Sequence, residues 1–300
     1  MSESANLPIN FGGIDDEEYS SFDAARVLIW PVSYEGTVSY GTGTGSGAKA
    51  IVEASRNMEL YEEETETEPY KLGIHTLPEF TARDTPDAMM SGLYSSTQEL
   101  LESGKFICML GGEHSISAPV IQAHNEKFDN LSVLQIDAHA DLRDTYDGTP
   151  HSHASIMARV VKDMRIPSVQ VGIRSISRDE ARSLKNGLPT RIFWARDIVG
   201  RTDWIDDAIH GLTDNVYLTI DIDGLDPSLV PTTGTPEPGG LGWYETLTLI
   251  RKLAEKKRVV GMDLVEYSYV KAYDAPAFLC AKLVYKSLAY IFRNDAPKLT

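Results

Sequence analysis

The stretch Leu131-Ser-Val-Leu-Gln-Ile-Asp-Ala-His-Ala-Asp141 (LSVLQIDAHAD) decides how this chain is read. It begins as an apolar run with the character of a buried strand. Polar side chains then arrive at every second position: Asp137, His139 and Asp141, with alanines between them. Alternate residues of an extended strand face one way. Two carboxylates and an imidazole are therefore expected to point together where the strand ends.

Similar runs recur on both sides of this stretch. Strands are expected at Ala25–Trp30, Phe106–Leu110, Leu131–Ile136, Ser168–Gly172, Arg191–Trp194, Val216–Ile220 and Val259–Asp263. Helical periodicity falls at Asp87–Glu102, Ile116–His124, Ser155–Asp163, Arg178–Ser183, Trp204–Gly211, Tyr244–Lys256 and Pro276–Arg293. Apolar strands alternating with helices imply a parallel sheet covered on both faces. No repeat or Pro/Gly/Ser linker divides the chain. The expected fold is α/β, a single domain over residues 1–300 with a mainly parallel sheet between two helical layers.

Composition narrows the partners. Acids outnumber bases 44 to 28, a net charge of −16. That opposes binding to nucleic acid, whose phosphates need a basic face, and suits a small cationic substrate. No apolar run approaches the roughly 18 residues of a membrane span, and MSESANLPIN at the N-terminus lacks the basic and apolar regions of a signal peptide. Cys108 and Cys280 lie in apolar contexts, as reduced core thiols of a cytoplasmic protein would.

In open parallel sheets, ligands bind beyond the carboxyl ends of the strands. Four expected strands end in acids or histidines: His114, then Asp137, His139 and Asp141, then Asp221 and Asp223, then Asp263 and Glu266. Such groups brought together would repel unless a cation held them. Two imidazoles and four carboxylates exceed the needs of one tetrahedral zinc. They suit two divalent ions with shared carboxylates. Mixed carboxylate and imidazole ligation favours manganese, with iron, cobalt, nickel and zinc also compatible.

These blocks resemble the ureohydrolase family of arginases and agmatinases, most closely the agmatinases of bacteria and archaea. The matching segments are Gly111-Gly-Glu-His-Ser115, Asp137-Ala-His-Ala-Asp141, Ser152-His-Ala154, Asp221-Ile-Asp-Gly-Leu-Asp-Pro227, Gly234-Thr-Pro, Gly239-Gly240 and Asp263-Leu-Val-Glu266. The resemblance implies the three-layer αβα fold of arginases and deacetylases. It implies two Mn²⁺ per chain, held by His114, Asp137, His139, Asp141, Asp221 and Asp223. It further implies that Glu266 binds the substrate guanidinium, that Asp141 and Glu266 take part in catalysis, and that His153 shuttles a proton. A metal-bound hydroxide would attack the guanidinium carbon of agmatine, giving putrescine and urea. A homo-oligomer, trimer or hexamer, is the family's usual assembly.

Two departures bear on the substrate. Arginases resemble one another in an Asn two residues past Asp141, where this chain has Arg143. They carry an acidic pair after Gly172-Ile-Arg174, where it has Ser175 and Ser177. Both weaken a reading as arginase. Arg143 suits a substrate carboxylate, as in 4-guanidinobutanoate or guanidinopropionate, whereas Asp144 or Asp147 suits an ammonium tail. A non-catalytic metal-binding paralogue and a single-metal deacetylase are the readings from other classes.

The remaining motifs take plainer readings. His151 competes with His153 for the shuttle, and the motif favours His153. His75, His124 and His210 match no motif and are read as surface or packing residues. Gly41-Thr-Gly-Thr-Gly-Ser-Gly47 does not directly follow a strand, so it reads as a loop entering a helix at Ala48–Met58 rather than a dinucleotide fingerprint. Glu62–Glu68 (EEETETE) reads as a solvated loop. Asp226 and Asp263 are read as supports of the site.

Overall fold

The structure is a computed structural model and describes residues 9–81 and 83–298. Nine strands form one sheet in which every pairing is parallel. They are β1 (Val27–Ser33), β2 (Ile74–Thr76), β3 (Phe80–Thr81), β4 (Phe106–Gly111), β5 (Leu131–Ile136), β6 (Ser168–Ile173), β7 (Thr190–Trp194), β8 (Asn215–Asp221) and β9 (Arg258–Val265). Their order across the sheet is β2-β1-β4-β9-β8-β5-β6-β7, with β3 pairing to β1 beyond the end of β2.

The helices are α1 (Glu17–Ser20), α2 (Gly47–Ser55), α3 (Pro86–Glu102), α4 (Ser117–Lys127), α5 (Ile156–Ala158), α6 (Arg178–Lys185), α7 (Ala195–Ile198), α8 (Ile205–His210), α9 (Trp243–Lys256) and α10 (Ala275–Ile291). Apolar residues of α2, α8, α9 and α10 pack in one core cluster with Val27 and Ile29 of β1. Those of α3, α4 and α5 pack in a second cluster with Trp30 and Val32 of the same strand. Both faces of the sheet are thus covered, so its inner strands are apolar throughout rather than alternating.

All seven expected strands are present. The short edge strands β2 and β3 were not expected, because two or three residues carry no periodicity of their own. Pro31 explains why they are two. The carbonyl of Ile29 accepts Leu77 N at 2.8 Å. Pro31 faces the same edge of β1 two residues on, and has no N–H for the ladder. The paired registers stop at Ile29 and resume at Val32.

The glycine-rich segment enters α2 through a single turn at Thr44–Ser46. Gly43 sits at φ +115°, and a Cβ on Gly47 would come within 2.2 Å of the Tyr267 carbonyl. Close packing against the chain, not phosphate binding, accounts for these glycines. Strands β4, β9, β8 and β5 are neighbours in the middle of the sheet. Their carboxyl ends deliver every acid and histidine singled out for the metal site, together with Glu266.

Candidate active site

His114 opens the site. Gly112 N donates to Val32 O at 3.0 Å, and a Cβ there would stand 1.9 Å from Tyr34 O. Only glycine allows this approach, which carries the chain from β4 into the turn holding His114. The ring is fully buried. Thr219 Oγ1 donates its one proton to Asp263 Oδ1 at 2.7 Å, so it accepts from His114 Nε2 at 2.9 Å. Tyr217 donates to the other oxygen of Asp263 at 2.9 Å. Nε2 therefore carries the hydrogen of the neutral ring, and Nδ1 presents a lone pair.

That nitrogen stands 3.1 Å from Asp141 Oδ2, 3.2 Å from Asp137 Oδ2 and 3.4 Å from Asp221 Oδ2. It has no hydrogen-bond partner among the described residues. Burial opposes charge on the imidazole, but the carboxylates outweigh it and hold its pKa well above the ordinary value. The buried carboxylates thus call for positive charge at Nδ1, which either a proton or a metal ion lying among them supplies.

A second cluster adjoins the first. His139 Nδ1 stands 3.0 Å from Asp223 Oδ2 and 3.7 Å from Asp137 Oδ1. Asp137 thus turns one oxygen toward each histidine. Gln135 Nε2 donates to its Oδ2 at 2.5 Å, and His139 N donates to its Oδ1 at 2.6 Å. Asp223 Oδ1 accepts Ala138 N at 3.0 Å, and Asp221 Oδ1 accepts Asp223 N at 2.9 Å. Two groups of potential ligands, His114–Asp137–Asp141 and Asp137–His139–Asp223, each gather within 4.8 Å and share Asp137. The donor set and the unpartnered Nδ1 fit two divalent ions. Burial, then Asp137, push Asp141 up to about 7, as crowding of carboxylates without countercharge requires.

The residues converge as expected, but not through strand alternation. β5 stops at Ile136, and only an isolated bridge between His139 and Ser175 continues its direction. Asp141 sits at φ +52°, which breaks any pleat. Asp221 ends β8 and Asp223 lies in the following turn. The ligands are gathered by turns whose amides bond the carboxylates themselves. Glu266 adopts φ +65°. Left-handed backbone at a residue other than glycine costs on the order of 1–3 kcal/mol and tends to mark functional positions.

A cavity of about 300 Å³ opens onto the cluster. Glu266 lines it, nearly buried, and accepts His114 N at 2.6 Å through Oε1. Its Oε2 makes no hydrogen bond among the described residues. Burial and then Glu113 push its pKa well up, so a cation against Oε2 would supply the missing countercharge. His153 also lines the cavity, with Tyr146 edge-on at 5.7 Å. His151 does not line it and instead pairs with Asp87 at 3.2 Å. Arg143 lies on the wall, over the Tyr146 ring at 5.0 Å and 3.9 Å from Glu180. Asp144 is outside, with Oδ1 on Lys162 Nζ at 2.7 Å.

Sequence reasoning passed over several residues. Arg174 was seen only as a motif marker. Its guanidinium donates to the carbonyls of Gly172, Asp223, Gly224, Leu225 and Glu237, the shortest bonds being 2.7 Å to Asp223 and 2.8 Å to Glu237. It ties the Asp223 turn to the cavity wall. Glu237 lines that wall 3.9 Å from His139 Nε2, and its place in the Gly-Thr-Pro-Glu run was the available signal. Thr37 and the buried Glu113 form a polar support behind His153. Glu113 stood inside a quoted block, whereas nothing marked Thr37.

Known proteins are similar in sequence and in fold. Residues 25–289 match the arginase family. An N(1)-aminopropylagmatine ureohydrolase from Synechocystis is 39% identical over 295 residues, 95% of each chain. An agmatinase from Pyrococcus horikoshii is 31% identical, covering 89% of this chain and 95% of its own. The crystal structure of agmatine ureohydrolase from Thermoplasma volcanium superposes with a TM-score of 0.82 at 25% identity, covering 97% of this chain and 96% of that one. With two ligand clusters bridged by Asp137 at the mouth of the central strands and this extent of likeness, the chain belongs to the arginase family and is a ureohydrolase acting on guanidino groups.

Proposed function

We propose that this protein releases urea from a guanidino compound with a cationic alkylamine tail, either agmatine or its N(1)-aminopropyl derivative, using two manganese ions. The observation that carries the proposal is the pair of ligand clusters sharing Asp137 beneath a cavity lined by Glu266. His114, Asp137, His139, Asp141, Asp221 and Asp223 would hold the metals, and mixed imidazole and carboxylate donors suit manganese. Such a pair of ions supplies a nucleophile at neutral pH by lowering the pKa of bound water.

The protein's own groups do the rest. Glu266 accepts the planar guanidinium on Oε2 and so fixes the carbon to be attacked. Asp141 has no hydrogen bond on Oδ1 among the described residues and is free to accept one from the attacking water. His153 carries a proton to the nitrogen that leaves. Urea departs, and the amine that remains is putrescine from agmatine or the corresponding triamine from its aminopropyl derivative. The acidic net charge and Glu237 on the cavity wall favour a cationic tail. The names of the relatives support the same substrates. A homo-oligomer, trimer or hexamer, belongs to this reading by family membership. The buried free thiols Cys108 and Cys280 suit a reducing cytoplasm.

One observation favours a second reading. The Arg143 side chain makes no hydrogen bond among the described residues, and a carboxylate tail such as that of 4-guanidinobutanoate would give it one. A substrate panel separates the two. Urea release from agmatine, N(1)-aminopropylagmatine, 4-guanidinobutanoate and arginine should rank the two polyamine substrates first in kcat/KM. A lead for 4-guanidinobutanoate would transfer the assignment to the carboxylate reading. No urea from any of them would remove the proposal.

A further inference from the structure

We infer that Thr37 and Glu113 are positioning residues that hold the His153 ring with its proton on Nδ1, so that Nε2 is the atom exchanging protons in the cavity. The inference rests on the assignment of His153 as proton shuttle and deepens it. Glu113 is fully buried. Its Oε1 accepts Thr37 Oγ1 at 2.5 Å and Ser115 Oγ at 2.6 Å, and its Oε2 accepts Thr37 N at 2.6 Å. A hydroxyl has one proton, and here the carboxylate takes it. Toward His153, Thr37 Oγ1 can therefore only accept.

It faces two histidine nitrogens: the backbone N at 3.2 Å and ring Nδ1 at 3.3 Å. An unprotonated Nδ1 would set lone pair against lone pair, so the contact selects Nδ1–H. Ser152 Oγ, 3.4 Å from Nδ1, can rotate its hydroxyl away. The ring's other nitrogen, Nε2, is left for the cavity that His153 lines. Tyr146, edge-on at 5.7 Å, limits the ring's swing.

The proton balance is then defined. One proton of the attacking water reaches Nε2, making an imidazolium that bears hydrogens on both nitrogens. As the C–N bond breaks, its electron pair stays with nitrogen, which takes that proton from Nε2. The ring returns to its neutral Nδ1–H form. The Glu113 charge lies behind Thr37, where it stabilises the transient imidazolium without contacting substrate. A misplaced or wrongly protonated ring would hurt most where the leaving nitrogen most needs a proton.

Two substrates and two variants test this in the manganese-loaded protein. Agmatine releases a strongly basic alkylamine, whereas its guanidinooxy analogue releases a weakly basic alkoxyamine that needs less help. Thr37→Val should lower kcat on agmatine by about 10- to 100-fold with KM little changed. Its loss on the analogue should be several-fold smaller, and Thr37→Ser should restore most of the agmatine rate. Equal losses on both substrates, or no rescue by serine, would overturn the inference. Should Thr37→Val not accumulate as folded protein, Glu113→Gln is read by the same ratio, and equal losses there would again overturn it. Absence of urea from both substrates with unaltered protein would instead overturn the agmatine reading, leaving the other guanidino substrates of the panel.

Discussion

Asp137 turns Oδ2 toward His114 and Oδ1 toward His139, which makes it the one carboxylate common to both ligand clusters. Asp137→Asn should cut urea release by more than about 100-fold, beyond the effect typical of outer partners. Metal analysis should find fewer ions per chain. Thr219 acts one step back, as the acceptor that fixes the His114 tautomer. Thr219→Val should weaken metal affinity by about 10- to 100-fold, read by competition with a chelator. His124 shows the opposite kind of histidine. It is buried against Tyr217 at 4.9 Å, and Nε2 has no partner among the described residues. Burial pushes its pKa down to about 4. The unfolded chain takes up this proton near the ordinary value of about 6.5. Between the two values the unfolded state binds more protons, so stability falls as pH drops through that window. His124→Gln should remove about 2 kcal/mol of the stability difference between about pH 5 and pH 7, measured from urea unfolding.

The acidic segment Glu62–Glu68 shows what an element can hide. It reads as solvated, and Glu63, Glu64 and Glu66 are exposed, but Glu62 is fully buried. Its carboxylate bonds Lys286 in the middle of α10 and accepts Thr65 N and Oγ1, each at 2.8 Å. Lys286 is itself buried and reaches Glu63 at 2.9 Å. Removing one partner of a buried pair leaves an uncompensated charge. Lys286→Met should therefore destabilise by about 3–5 kcal/mol in urea unfolding, and adding Glu62→Gln should recover much of it. No local pattern in EEETETE distinguishes Glu62 from its neighbours, because its partner lies far along the chain. The same limit hid Thr37, Glu113 and Arg174, whose roles depend on contacts between loops. The long strands and their acidic ends were legible because periodicity and motif are local. The convergence of Asp137, His139 and Asp141 was legible as a fact but not in its cause. Turn backbone such as Asp141 at φ +52° leaves no trace in an alternating pattern.

At the scale of the whole molecule, the sheet order brings β4, β9, β8 and β5 side by side, so residues from His114 to Glu266 meet beyond the carboxyl ends of the middle strands. No helix among the described residues is long and apolar enough to cross a membrane. Buried carboxylates at the sheet's centre tie stability to bound cations. A metal present at about 1,000 times its Kd stabilises by about 4 kcal/mol. Chelation should lower Tm by roughly 10 °C, and added Mn(II) should restore it, as scanning calorimetry would show. The most direct test of the central claim titrates metal-depleted protein with Mn(II) while following urea release from agmatine and N(1)-aminopropylagmatine. Two-metal catalysis predicts that the rate climbs until about two ions are bound per chain and then levels off. Full turnover with one ion or none, or no urea at saturation, would contradict it.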